Sequence, residues 1–502
     1  MADTSGISPY LFSLEGGLVL NKPNFTVPPG AALQLENFEP DVSGGYRRID
    51  GYQKWNSNLV PHTASTSEPV LMSAFFGGQV IAARGEKVYK GGSTGSWTEI
   101  DSGRTGANKY TFEKVNFSGT KLFVYADGAN FASYYDGTSV VDVNTIDAPA
   151  DPQYIASFKN TAFYAGMSAN PHEVVYAAPL TINDFTSGHG AGSFAVDSAV
   201  TGMIVFRDSL YIFSATRIYR LTGSTSADFA LTPITRDIGC RNGWTIKEFA
   251  GDVIFLGPDG LRTIAGTEKI GDVSLASVSR PVQELFRDKG NVSDFDAYVL
   301  PQKTQYRLIF NEGNNVVKNL TTGVICSVKD GGYEFATTKG LQTNCSDTDA
   351  YQGEYYTVFG GRDGYVYRDQ KGDTFDGSVI VGRYRSPDIT AGDPGVRKSF
   401  QRVIMNYAPE GVIRSDLYLR YDYESSQSPR PEPYPIDSSR VVALYGSSKY
   451  GTATYGGQTD PLVRQAVEGS GFSVALRVID SGECPPYSLK GFSLEFNTAA
   501  RR

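Results

Sequence analysis

The chain has 502 residues, a formal charge of −8, 40 % hydrophobic residues and only 3 histidines. That length can bury a large core, and the acidic balance excludes a surface that grips nucleic acid all over, which needs clustered Lys and Arg. With Gly at 55, Tyr at 31 and Phe at 28, the composition is that of many short strands joined by turns, so the predicted fold class is all-β. No stretch approaches the roughly 18 apolar residues of a membrane helix, so no membrane segment is expected. The start, MADTSGISPYLFSLEGGLVL, lacks the basic flank and apolar run of an export signal, which points to synthesis in a cytosol. There Cys240, Cys326, Cys345 and Cys484, which form no C-x-x-C, are expected to be reduced and buried.

In chain order, residues 1–60 read as an extended arm, because Pro23, Pro28, Pro29 and Pro40 break any long element. The arm ends in GGYRRIDGYQKW (44–55), polar and aromatic residues around two glycine turns. Over 61–380, paired apolar runs recur, beginning at 79, 120, 160, 208, 251, 304 and 355, at intervals of roughly 40–53 residues, the length of a propeller blade. Two of these hairpins copy each other: FLGPDGLRTIAG (255–266) returns as FGGRDGYVYRDQ (359–370). Each Asp-Gly predicts a tight hairpin with both turn residues at φ > 0. Such units cannot bury their own faces, so the expectation is a β-propeller of six or seven blades, with a series of β-sandwiches as the other reading. SVSRPVQELFRDKG (277–290) predicts a helix capped by Ser279, with Pro281 in the first turn and Val282, Leu285 and Phe286 as its apolar stripe. It is expected to pack on the outside of the propeller or on a neighbouring subunit. Residues 381–502 alternate like sandwich strands, in RSDLYLRYDY, FSVALRVID and YSLKGFSLEF, and predict a C-terminal β-sandwich-like domain.

The chemical inventory is thin. His62, His172 and His189 share no metal-ligand spacing, and a Ser-His-Asp machine lacks support. GGSTG (91–95) matches G-x-S-x-G but leads into a strand rather than a helix, so it reads as a blade turn. Paired carboxylates of a glycosidase could be drawn from Asp127, Asp136, Asp208, Asp259 and Asp363, yet four of these precede Gly, where Asp suits the turn itself. NCSDTDAYQGE (344–354) offers Asn344, Asp347, Asp349 and Glu354 to calcium in one loop, without EF-hand spacing. The expectation is no catalytic residue, no metal and no cofactor.

The order of elements carries a resemblance. The arm ending in GGYRRIDGYQKW, the blade hairpins, the run DSLYIFSATRIYRLTGSTSADFALTPITRDIGCRNGWTIKEFAGDVIFLGPDGLRTIAG (208–266) and the final pair ALRVIDSGECPPYSLKGFSLEF (475–496) resemble the tail hub, or nozzle, proteins of short-tailed bacteriophages, which include the packaged-DNA stabilisation proteins. The resemblance implies a homo-hexameric ring in the virion tail, below the portal. Its partners would be a tail adaptor protein and tail fibre or needle proteins, with double-stranded DNA passing non-specifically through the ring. An acidic wall suits such passage, since each Lys or Arg contact to phosphate would have to be broken as the duplex moves. On this reading Tyr46, Arg47, Arg48, Tyr52 and Trp55 of the arm, with Tyr10, Leu11 and Phe12, are subunit-interface candidates; packing within the same subunit is the other reading. Arg383, Arg385, Arg397 and Lys398 are candidates for contact with an acidic ring partner, or else solvated loop. The alternative function is a glycan-binding or glycan-cleaving propeller for host recognition, with Asp127, Asp259, Asp363 and Tyr365 lining the sugar.

Overall fold

The computed structural model describes residues 7–62, 68–117, 119–265, 277–287, 294–311, 322–329, 332–437 and 462–498. The chain is all-β, and its sheets succeed one another as a β-propeller. Four sheets of four antiparallel strands come first, spanning 72–102, 111–142, 154–195 and 200–235. A three-stranded sheet over 247–263 follows, then four strands within 294–339. The last blade takes three strands from 345–369 and its fourth, Tyr52–Lys54, from the arm. Among the described residues this makes six four-stranded blades and one three-stranded sheet, within the expected six or seven.

Hydrophobic burial between successive blades holds the ring together. Met72, Val88, Phe123 and Tyr125 pack the first blade on the second; Val124, Ile155 and Tyr164 the second on the third; Phe163, Leu210 and Ile212 the third on the fourth. Phe213, Ile218, Val253 and Phe255 continue into the three-stranded sheet, and Phe75, Val80, Val358 and Val366 close the last blade on the first.

The copied hairpins depart from the predicted turn. The ladders end at Leu256–Leu261 and Gly360–Val366, and inside them Gly257 N–H donates to the Gly260 carbonyl and Gly361 N–H to the Tyr365 carbonyl, both at 2.8 Å, so Asp-Gly does not form the two central residues of either turn. Only the glycines take positive φ, Gly260 at 141° and Gly364 at 84°. Asp acts through its carboxylate instead. Asp259 accepts from Arg262 Nε and Nη2 at 2.8 and 2.9 Å, and Asp363 accepts from the Tyr367 hydroxyl at 2.6 Å. Arg262 and Tyr367 occupy the same place, each paired across its hairpin with the repeated phenylalanine, Phe255 or Phe359.

The arm is woven into the body rather than laid on it. Ser8–Ser13, Phe38–Pro40 and Tyr46–Arg48 join the sheet of Lys398–Pro409 and Tyr487–Thr498. Gln34–Glu36 bridges the sixth blade, through Glu36 and Thr337, to Gly382–Arg385, so one nine-stranded sheet runs from propeller to C-terminal domain. The two sheets of that domain face each other as a sandwich, with Tyr384 stacked on Phe492 at 5.9 Å and Phe400 against Tyr421 at 5.7 Å.

The predicted helix of 277–290 is a 3-10 turn, Arg280–Val282, followed by one α turn, Glu284–Arg287; residues 288–290 lie outside the described residues. Ser279 does not cap it, because its hydroxyl accepts the Leu261 amide at 2.9 Å. Val282 and Phe286 are buried in the chain's own core, and Leu20 N–H donates to the Pro281 carbonyl at 2.8 Å, which ties this segment to the arm.

Candidate functional site

Ligands of propellers gather where the innermost strands converge, so the axis is the first place to look for a site. Here the axis is spanned. Lys109, entering the second blade, reaches the sixth: its ammonium donates to the Phe295 carbonyl at 2.7 Å and to Asp296 Oδ1 at 3.2 Å. Trp244 Nε1 donates to the Tyr110 carbonyl at 3.2 Å, and the Lys109 ammonium lies 5.0 Å from the indole ring. Further along the second blade, Lys114 donates to Asp347 at 2.6 Å and to Asp349 at 2.9 Å, both on the seventh blade, while Phe75 N–H of the first blade donates to Asp347 at 2.9 Å.

The titration of these groups follows from being enclosed by seven sheets. Burial depresses the Lys114 ammonium, but Asp347 and Asp349 more than reverse this and hold it above its ordinary value. Burial pushes the Glu113 carboxyl up to about 7, with Lys114 only partly opposing. Lys247, on the inner strand of the three-stranded sheet, has Asp296 and Asp347 near it, but burial wins and lowers its pKa. The Lys109–Asp296 and Lys114–Asp347–Asp349 pairs cross-brace the ring.

The sequence-predicted carboxylates are not brought together as a site. Asp127 is buried; it pairs with Arg104 at 2.8 Å and accepts the Ala129 and Asn130 amides at 2.9 and 2.8 Å. Asp136 accepts the Thr138 and Ser139 amides of its own turn, both at 2.7 Å. Asp208 lies 3.2 Å from Lys159 at the surface. Asp259 and Asp363 are held as described above, and Tyr365 receives the Lys54 ammonium over its ring at 4.0 Å. The loop weighed for calcium is a strand pair, Cys345–Tyr351 and Glu354–Gly360. Asn344 donates to the Val70 carbonyl at 2.8 Å, and Asp347 and Asp349 serve Lys114. Among the described residues no group of three His, Cys, Asp or Glu is placed to hold a metal. All four cysteines are buried and unpaired. GGSTG lies between the strands Lys87–Gly91 and Thr98–Ser102, a turn within a blade.

The interface candidates of the arm fall mostly inside the chain. Tyr46, Arg48 and Tyr52 are buried, so the interface expectation is corrected for these three to packing within the subunit. Tyr46 donates to the Gly30 carbonyl at 2.8 Å, Arg48 pairs with the buried Asp480 at 3.3 Å, and Tyr52 packs on Phe359, Tyr367 and Phe375 at 5.1, 5.0 and 5.0 Å. Trp55, half-buried, packs on Phe75 at 5.7 Å. Arg47 belongs to an ion network that the spacing of charges did not reveal. It pairs with Asp50 at 2.8 Å and Glu410 at 2.7 Å; Lys303 meets Glu39 and Asp50, each at 2.6 Å; and Arg307 meets Glu39 at 2.8 Å and Asp369 at 3.4 Å. Arm, sixth blade, seventh blade and C-terminal domain meet in that network. Of the basic group, Arg383 pairs with Glu36, Arg385 with Glu424 at 2.9 Å, and Lys398 is buried with its ammonium on the Asp393 and Val396 carbonyls. Arg397 is exposed and donates to the Ser470 hydroxyl at 3.1 Å. Lys398 is therefore corrected to a loop-holding role, and Arg383 and Arg385 have their counter-charges within the chain.

No family model matches the chain, and no curated protein does. Solved structures similar to it include the AfRom2 CNH domain, at 9 % identity over 62 % of this chain and 97 % of that one, with a TM-score of 0.37. The WD40 domain of Neurospora crassa Pan2 is similar at 7 % identity over 64 % and 97 %, with a TM-score of 0.39. An ancestral GH74 enzyme is similar at 10 % identity over 69 % of this chain and 51 % of its own, with a TM-score of 0.40.

Proposed function

We propose that this chain is a structural protein of the tail nozzle of a short-tailed bacteriophage, one of six copies in a ring that retains packaged DNA and conducts it during ejection. The single observation that supports this reading best is the fusion of arm, propeller and C-terminal sandwich into one body. One nine-stranded sheet crosses from the sixth blade into the sandwich, and the Glu39–Arg47–Asp50–Lys303–Arg307–Asp369 network braces the joint. A wall that must resist the passage of DNA needs stiffness of this kind more than it needs a cleft. DNA would run between copies, since Lys109, Asp296 and Trp244 span the propeller axis. On this reading the chain carries no catalytic step, and its partners are a tail adaptor and fibre or needle proteins.

Negative-stain images and native mass spectrometry of the purified chain, alone and with its adaptor, test the proposal. Six-membered rings are the expected result; a monomer that never forms rings even with the adaptor overturns it. The glycan reading would need carboxylates free to meet a sugar, whereas Asp127 and Asp259 are held by Arg104 and Arg262. Release of oligosaccharide from host surface polysaccharide, abolished by Asp363→Asn, would restore that alternative.

A further inference from the structure

The buried carboxylate of Asp388 gathers three loops, one from the arm and two from the sandwich. Its Oδ2 accepts the Asn24 side-chain amide at 2.7 Å, and its Oδ1 accepts the Tyr423 N–H at 3.1 Å and the Ser473 hydroxyl at 3.3 Å. At each of these contacts the chain exposes an aromatic ring: Phe25, Tyr423 and Phe472 are 70, 51 and 43 % exposed. Asp422, Tyr423 and Glu424 hold φ of 49°, 57° and 62°, three successive non-glycine residues in the left-handed region, so Tyr423 is presented at a cost in backbone strain. Asp422 fixes that turn to its neighbour by accepting the Phe472 N–H at 2.6 Å. Arg397 lies 5.9 Å from the Phe472 ring and bonds to Ser470, while Arg430 donates to the Glu424 carbonyl at 3.1 Å. Among the described residues neither guanidinium has a carboxylate within ion-pair reach. Exposed aromatic rings beside arginines are the make-up of an interface centre.

We propose that this patch docks, head to tail, on the third propeller blade of the next copy of the chain. The contact rests on the ring reading and names how its copies meet. Charge and placement together select the occupant. Residues 61–380 alone sum to a formal charge of −8, whereas residues 381–502 are slightly basic. On the third blade a cavity of about 420 Å³ is lined by Asp147, Asp151 and Glu173, with no Lys or Arg among its described residues. Met167 and Phe185 give it apolar wall against which an aromatic ring can pack, and Ile146 at its rim is 87 % exposed. The sandwich joins the propeller at the sixth and seventh blades, through Glu36 beside Thr337 and through Tyr52–Lys54. The strand from Arg383 then runs on past Asp388 to Ile389, which meets Val474, so the patch lies beyond that joint. In a ring of seven sheets the third stands diametrically opposite the sixth and seventh. A chain therefore cannot bring the patch to its own cavity. The contact joins two different surfaces at opposite ends of the molecule, which is the heterologous geometry that closes into a ring by rotation.

The test uses the full chain. With p-benzoylphenylalanine in place of Tyr423, and isotope-labelled and unlabelled copies mixed, illumination is expected to join position 423 to residues 144–193 of a different copy. Arg397→Glu combined with Arg430→Glu is expected to raise the concentration at which half the chain is in rings, read by native mass spectrometry, at least about tenfold. Adding Asp147→Lys and Glu173→Lys to that variant should return it to within about threefold of the unaltered chain, a recovery that a folding defect would not allow. Cross-links that fall elsewhere, or a loss that the second pair of changes does not recover, overturn the inference. Rings that persist unchanged in the Arg397→Glu, Arg430→Glu variant overturn it too and leave the nozzle reading standing without this contact. Copies that cross-link at 144–193 without ever closing into rings would keep the contact and overturn the nozzle reading.

Discussion

At the scale of single residues, the Asp-Gly pairs are holding devices. Asp127 neutralises a buried guanidinium, that of Arg104, and anchors its own turn through two amides. Asp127→Ala leaves the buried Arg104 with only the more distant Asp101, at 3.7 Å, as counter-charge, and is expected to cost about 3 kcal/mol by urea unfolding. A carboxylate kept for a ligand would leave stability nearly unchanged on removal. The glycines can be separated into conformational and steric parts. Gly364 and Gly377 have φ of 84° and 85°, but a Cβ at 364 would run into the Arg84 guanidinium, while one at 377 meets nothing. Gly377→Ala should cost about 1 kcal/mol, and Gly364→Ala clearly more, on the order of 2–3 kcal/mol; equal losses would show that Arg84 moves aside freely. The Asp-Gly motif was legible as a turn in the sequence. That its carboxylate would be held by Arg262 in one copy and Tyr367 in the other was not, because those partners depend on a cross-strand register that the loop lengths set.

At the scale of elements, the arm strand Tyr52–Lys54 is the fourth strand of the seventh blade and closes the ring. Tyr52 fills the space between Phe359, Tyr367 and Phe375. Tyr52→Ala should therefore cost about 3–5 kcal/mol, and hydrogen exchange should speed up in the strands Cys345–Tyr351 and Met72–Phe76, which meet at the closure. Loss of protection confined to the arm would refute the closing role. The blade repeats were visible in the sequence because strand, turn and strand recur locally. The prolines of residues 1–60 predict an extended arm, but its aromatic residues announce burial without saying against what. The short turns of 280–287 show the opposite limit: Ser279, Pro281 and the apolar stripe favour a helix, yet the Ser279 hydroxyl is taken by Leu261 and the segment is held to the arm through Pro281.

At the scale of the whole molecule, the axis is where seven sheets bring charge together. Glu113 has a folded pKa of about 7 against an ordinary 4.5, because burial disfavours its carboxylate. Below 4.5 both folded and unfolded chains hold the proton and nothing is lost. As pH rises from 4.5 to 7 the unfolded chain ionises first, so stability falls through that window and the full penalty is present above it. Glu113→Gln should remove the penalty, raising stability at pH 8 by about 1–3 kcal/mol and leaving it unchanged at pH 4. Denaturant midpoints at the two pH values measure this, and equal shifts at both would exclude an ionisation origin.

By itself the sequence determined the fold class, the repeating blade and the lack of a recognisable catalytic motif, because strand alternation, turn glycines and motif spacing are local properties of a chain. Only the tertiary structure decided which charges answer one another: Lys109 with Asp296 across the axis, Arg307 with Glu39 and Asp369 at the joint, Arg48 with Asp480 in the sandwich. These pairs join residues far apart in sequence, and a buried charge is satisfied by whatever closure of the ring brings within reach.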